Sequence, residues 1–288
     1  MTLGLTTPGA ATTTLGSPWT AWVLDVPAIV MLAGVTTLYL RGAVARARRG
    51  VARPGRTAAF LGGVLVVLLA QVSPVAAFSE VLYWPHMVQH LLMTLVAAPL
   101  LAAGSPVATV RHGLSPGPRH MLVRFARGSR SLRRRLGAPH PLVMATIVHI
   151  AMIWLWHTPP VYDAAVASPA LHLVEHAAFL GSAVWFWSEI WATARRHRRH
   201  QALATLCLGA MIIQGGALGA LITFASTSLY DVYHGTPAFT ALEDQQLAGA
   251  LMWVPPGFVY GSMAVRRFIA WMRSAEADLR RRETRSAV

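Results

Sequence analysis

Long apolar stretches separated by short polar ones dominate the pattern of this chain. Predominantly hydrophobic runs occupy roughly 22–40, 57–78, 86–103, 141–157, 170–192, 203–225 and 246–270. A helix needs about 17–25 residues to cross the roughly 30 Å hydrocarbon core of a bilayer, and each run reaches that range. The pattern predicts an all-α, polytopic membrane protein with seven transmembrane helices. Residues 1–20 then form an external N-terminal tail, residues 21–270 one seven-helix membrane domain, and residues 271–288 a basic cytoplasmic tail. The longest connection, about 104–139, is rich in Pro, Gly and Arg and is expected to carry a short amphipathic helix over His120–Leu136. No basic leader precedes the first apolar run, so that run is expected to be retained as a span.

Composition agrees with the pattern. The chain is 55% hydrophobic and only 12% charged, more apolar surface than a soluble domain of 288 residues can hide. A formal charge of +14 suggests a nucleic-acid binder until its distribution is read. There is no lysine, and the arginines fall in four blocks, Arg41–Arg56, Arg111–Arg135, Arg195–Arg199 and Arg266–Arg285, which follow alternate apolar runs. The opposite ends of the runs carry Asp25, Glu80, Asp163, Asp231, Glu243 and Asp244 and no arginine. By the positive-inside rule the N-terminus is outside and the C-terminus cytoplasmic. The basic face is expected to meet anionic lipid headgroups, and nucleic acid is excluded as a partner. Cys207 is alone within the sixth run, where a packing role is expected.

Topology then sorts the 12 histidines. His112, His120, His140, His197 and His200 lie in or beside the arginine blocks, where a solvated or headgroup-facing role is expected. His234 falls in the last external loop. The others gather at the external ends of the third, fourth and fifth runs. His86 and His90 stand one helical turn apart in Pro85-His-Met-Val-Gln-His90, as do His172 and His176 in Leu171-His-Leu-Val-Glu-His176, and His157 ends the fourth run. His149 lies eight residues before His157, about 12 Å deeper on a helix. Ionisable groups within spans are costly and face a bundle interior, a cavity or a partner.

Such a gathering suits a metal. Met93 or Thr94 follows the face of His86 and His90, and Met252 lies about two turns after Asp244-Gln245-Gln246. Imidazole with thioether sulfur suits copper, Cu(I) above all, whereas imidazole alone serves zinc or heme iron equally well. His172-Leu-Val-Glu175-His176 also matches the H-x-x-E-H order of zinc metallopeptidases, so an intramembrane protease is an alternative in which Glu175 activates water. A heme-binding or heme-transfer protein would use the same histidines as axial ligands. A transporter would use His149, Gln214 and the glycines Gly215, Gly216 and Gly219, which otherwise mark close helix contacts.

Three ordered stretches carry a resemblance. Pro85-His-Met-Val-Gln-His-Leu-Leu-Met93 runs on to Ala98-Pro-Leu-Leu101 and Gly104-Ser-Pro106. His157-Thr-Pro-Pro-Val-Tyr-Asp163 is followed by Leu171-His-Leu-Val-Glu-His-Ala-Ala-Phe179. Glu243-Asp-Gln-Gln-Leu-Ala-Gly249 is followed by Met252-Trp-Val-Pro255. Together, over roughly residues 20–270, they resemble the CtaG family of cytochrome c oxidase assembly proteins found with caa-type oxidases. The resemblance implies a non-enzymatic, multi-pass factor of the bacterial plasma membrane that helps to mature a heme-copper oxidase, with copper delivered to the oxidase's buried copper centre. It implies an oxidase subunit as partner and leaves room for an external copper donor. The site residues it implies are His86, His90, His157, His172 and His176, with Glu175, Asp244 and Gln245 close by; soft-ligand chemistry adds Met93, His149 and Met252 as supporting residues.

Overall fold

A computed structural model describes residues 21–135, 137, 139–193 and 198–286, so the expected tail 1–20 and His197 lie outside the described residues. Among the described residues the chain is all helical, with no strand. Each of the seven apolar runs is mostly helical, the second broken at Ser73 and the third passing through a π-helical turn. In chain order the elements are α1 (Val26–Ala47), α2 (Pro54–Val72), α3 (Pro74–Ser79), α4 (Tyr83–Leu91), a π-helical turn (Leu92–Ala97), α5 (Ala98–Ala103), α6 (Pro106–Gly113), α7 (Pro116–Arg135), α8 (Pro141–Trp156), α9 (Pro159–Ala167), α10 (Pro169–Thr193), α11 (Arg198–Thr223) and α12 (Ala241–Ser286).

Proline sets most of these starts. It opens α2, α3, α6, α7, α8, α9 and α10, where its missing N–H costs nothing and its fixed φ suits the first helical residue. Asp25 caps α1 instead, its Oδ1 accepting from Ala28 N at 3.0 Å. Pro159-Pro160 opens α9, which is bent by 76° from α8. The amphipathic helix expected near His120 lies on α7, and α12 continues through the expected basic tail. At 46 residues α12 measures about 69 Å, more than twice a hydrocarbon core, so it projects well beyond any membrane.

Among the described residues, four helices are long and apolar enough to cross a membrane: α1, α2, Tyr83–Ala103 and His200–Thr223; the bent pair α8 and α9 makes a fifth if it is one span. α10 and α12 are long enough but contain too many polar, proline and tryptophan residues to qualify by composition.

The π turn between α4 and α5 has a visible consequence. Within it the Ala98 N–H reaches Met93 O, five residues back. Pro99, next in line, has no N–H to offer Thr94 O. The indole N–H of Trp187 donates to that carbonyl at 3.0 Å, and Trp191 donates to Pro99 O at 3.1 Å. Trp187 is buried against Phe186 and Tyr260 in the main core, where Cys207 also packs as expected. On α11, Gly219 lies so close to Trp253 of α12 that an added Cβ would stand 2.6 Å from the indole, the close helix contact foreseen for this glycine.

Candidate metal centre

The arginine-free ends of the helices meet, and polar side chains converge there. α4 contributes His86, Gln89 and His90; α10 contributes His172, Glu175 and His176; His157 follows α8 directly; Gln71 comes from the last turn of α2. Helical spacing does the local work, because residues four apart share a face. The His86 and His90 rings are 4.4 Å apart between centroids, with their Nε2 atoms at 3.0 Å, and the His172 and His176 rings are 4.1 Å apart. Across helices, His86 stands 5.2 Å from His172, His90 5.1 Å from His176, and His90 6.4 Å from His157. All five expected ligands therefore form one group. One ligand atom from each of His86, His172 and His176, or from each of His86, His90 and Glu175, can be chosen within 4.8 Å of one another.

Neighbours fix several ring orientations. Tyr233 OH gives its hydrogen to Ser79 O at 3.1 Å, so Tyr162 OH at 3.1 Å and His86 Nδ1 at 3.4 Å stand as donors to it. A neutral His86 then keeps its lone pair on Nε2, on the side of His90. His157 Nδ1 donates to Ile153 O at 2.7 Å, which likewise leaves Nε2 with the lone pair. The Gln89 amide nitrogen donates to Ala70 O and to Gln71 Oε1, at 2.9 and 2.7 Å, and the Gln71 amide nitrogen lies 3.1 Å from His176 Nδ1. Hydrogen-bonded supports of this kind orient metal-binding imidazoles.

What lacks a partner matters more. His90 Nδ1, His157 Nε2, His172 Nε2, His176 Nε2 and both oxygens of Glu175 are buried with no hydrogen bond. Glu175 is 0% exposed, and His90 Nε2 lies 3.8 Å from its Oε1. A buried carboxylate without donors is tolerated only with a proton or a cation beside it. His172 is the half-buried member of the group.

The supporting residues divide. Asp244 and Gln245 touch none of the histidines. Asp244 accepts from the first two amides of α4, Tyr83 N at 2.7 Å and Trp84 N at 2.9 Å, while Gln245 ties down the segment after α11 through Leu229 N, Ile222 O and Thr227 O. Asp244 thus positions the helix that bears His86 and His90. Met93 is buried, and the π turn begins just before it. His149 and Met252 line a cavity of about 60 Å³ next to His90 and His157, together with Met87 and Met211. His234 is exposed and apart. Gln71 and Tyr233 were not anticipated. Gln71 had a signal as a lone amide in an apolar run; Tyr233 had none, since it reaches the site from a connection 147 residues away from His86.

No curated protein and no solved structure matches the chain. A family described as cytochrome c oxidase caa3 assembly factor (Caa3_CtaG) matches residues 37–274, which include the whole histidine group and its supports, and the chain belongs to that family.

Proposed function

We propose that this protein serves oxidase assembly, without catalysis, by taking up copper at the histidine group and passing it to the copper centre of a heme-copper oxidase. The observation that carries this reading is Glu175, fully buried and free of hydrogen-bond donors, with His90 Nε2 3.8 Å from its Oε1 and other imidazole nitrogens of the same group left without partners. Neutral nitrogens and one carboxylate make a site for a single cation, with Cu(I) favoured by the methionines nearby. Uptake is exchange of one ligand for another at His86, His90, His157, His172 and His176, and no covalent bond of the protein changes.

In this reading seven helices span the bacterial plasma membrane, with the N-terminus outside and the C-terminus cytoplasmic. The distribution of arginine supports that orientation. The low hydropathy of α10 agrees with it too, because its polar members Glu175, His176 and Ser182 are buried in the bundle while Leu171, Leu173 and Val174 face outward. The exposed Trp253, Val254, Phe258 and Val265 give α12 an apolar outer surface in the same way. The site then opens to the outside, where a copper donor would reach His172 first. Heme transfer draws no support from a cavity of about 60 Å³, well below the roughly 300 Å³ at which small-molecule pockets begin. Proteolysis draws none from the position of Glu175, enclosed with no donor to orient it.

The test is copper retention by the full-length protein in nanodiscs, loaded anaerobically with Cu(I) and freed of excess by gel filtration. Wild type should retain copper, and H86A/H90A/H172A/H176A should lose it. His172→Ala, at the half-buried position, should weaken retention while leaving the melting temperature near that of wild type. Unchanged retention in both variants would overturn the proposal.

A further inference from the structure

The cavity behind the histidine group is a site in its own right. It extends from His90 and His157 toward His149, and apolar side chains make up much of the remaining wall. His149 is fully buried. Its Nδ1 lies 2.9 Å from Ser182 Oγ, whose own hydrogen is given to Phe179 O at 3.1 Å. His149 must therefore be the donor to Ser182, and its Nε2 is left with a lone pair and no partner. A lone pair held in that way in an apolar cavity is costly unless something binds it.

Three thioethers share the wall with that imidazole, each from a different helix: Met87 of α4, Met211 of α11 and Met252 of α12. Any one methionine in an apolar bundle is packing material. Three of them lining one small cavity with an unpaired imidazole nitrogen form a set of soft ligands. Gln214 Oε1, also without a partner, and the hydroxyls of Thr94 and Tyr260 are the other polar atoms of the wall, too few to replace the water shell of a hard ion, so the chemistry selects a soft monovalent one.

We propose that this cavity is a second copper position, a thioether-rich Cu(I) site made by His149, Met87, Met211 and Met252, which receives its ion from the outer histidine group. The proposal rests on the copper reading of that group. His90 and His157 border both places and are the natural carriers between them. The division of labour follows from the ligands. The outer group of imidazoles and one carboxylate captures copper, and the inner one, rich in thioether sulfur, holds only the reduced ion, deeper along the bundle.

Cu(I) loading of the full-length protein in nanodiscs, against a colorimetric Cu(I) chelator, gives copper per chain, and X-ray absorption at the copper edge reports whether sulfur is bound. Wild type should hold about two ions per chain, one of them with sulfur neighbours. The volume-conserving M87L/M211L/M252L should fall to about one ion and lose the sulfur signal. H86A/H172A/H176A should keep the sulfur-bound ion and lose the other. The single variant Met252→Leu, a milder change to the packing, should reduce the sulfur count without emptying the outer group. A wild type that shows only nitrogen and oxygen neighbours, with its copper lost in the histidine variant, overturns this proposal and leaves the outer site standing. A sulfur-bound ion that persists while the histidine variant loses nothing overturns the outer site instead. A sulfur signal unchanged in both methionine variants overturns the inner one.

Discussion

The two ends of the helix bundle both bury polar side chains, but they treat them differently. At the arginine-rich end the most deeply buried groups are spent largely on the backbone, and the atoms left open there, Arg46 Nε and His200 Nδ1, belong to half-buried residues. Tyr39 OH donates to Gly104 O and Arg56 O, at 3.0 and 3.3 Å, and Arg267 donates to Ile190 O at 3.1 Å and Gln201 Oε1 at 3.4 Å. Gln201 in turn donates to Thr193 O at 3.2 Å, closing the end of α10. At the arginine-free end, buried groups come in greater number, and the central ones, Glu175 and four of the imidazole nitrogens, are left open. A buried polar group that finds a backbone partner stabilises the fold. One held in place by its neighbours yet left without a partner costs stability and is kept for a ligand. The difference separates polar residues that build this bundle from those that equip it.

Asp244 is where the comparison is easiest to break, because it sits at the equipped end and performs a building task. Removing its carboxylate leaves two α4 amides without acceptors, and each orphaned buried donor costs about 1–3 kcal/mol. Asp244→Ala should therefore lower the melting temperature in nanodiscs by several degrees, at about 2–4 °C per kcal/mol. It should also weaken copper retention, since α4 carries His86 and His90. Asp244→Asn keeps one acceptor and should fall between. A stable Asp244→Ala protein with normal copper would show that α4 is held by something other than this cap.

Arg267 tests the other end with a smaller effect. Arg267→Met removes two hydrogen bonds but also relieves the burial of a guanidinium, so the net loss should be about 1–2 kcal/mol, read as a lower melting temperature. Copper retention should not change. A loss of copper in this variant would mean that the two ends are coupled along α10 and α12, and the division drawn above would fail.

Much of this was legible in the sequence because the bilayer forces a simple code. Apolar runs marked the helices, and alternating arginine blocks placed His86, His90, His157, His172 and His176 at one end, where the helices bring them together. The harder parts depend on contacts that no local pattern encodes. The π turn from Leu92 to Ala97 breaks the α-helical period without a mark in the hydrophobic pattern. Asp244 and Gln245 looked like members of the site, but they hold its frame. Gln71 meets His176 across 105 residues of chain. The polarity that keeps α10 from qualifying as a span by composition is the same polarity that supplies the site, since the bundle hides one face of that helix.

Glu243, the neighbour of Asp244, sharpens the comparison by showing what exposure does to the same chemistry. It forms a reciprocal cap with Thr240: its Oε2 accepts from Thr240 N at 2.9 Å and from Thr240 Oγ1 at 2.8 Å, while its own N–H donates to Thr240 Oγ1 at 3.2 Å. The backbone bond first, and the hydroxyl bond second, hold its carboxyl below the usual glutamate range. A carboxyl with a depressed pKa in the folded state stabilises fully above its unfolded value and loses that contribution as pH falls through the folded one. Glu243→Gln keeps an acceptor but not the charge, and it also forgoes the favourable field of the α12 N-terminus. Melting curves should show wild type slightly above the variant at neutral pH, with the gap closing as pH drops below about 4.3. Because the residue is fully solvated, raising the salt concentration should narrow the gap as well. Copper retention should be indifferent to the substitution at every pH, because this acid caps a helix at the surface while Glu175 waits, buried and without a donor, among the histidines.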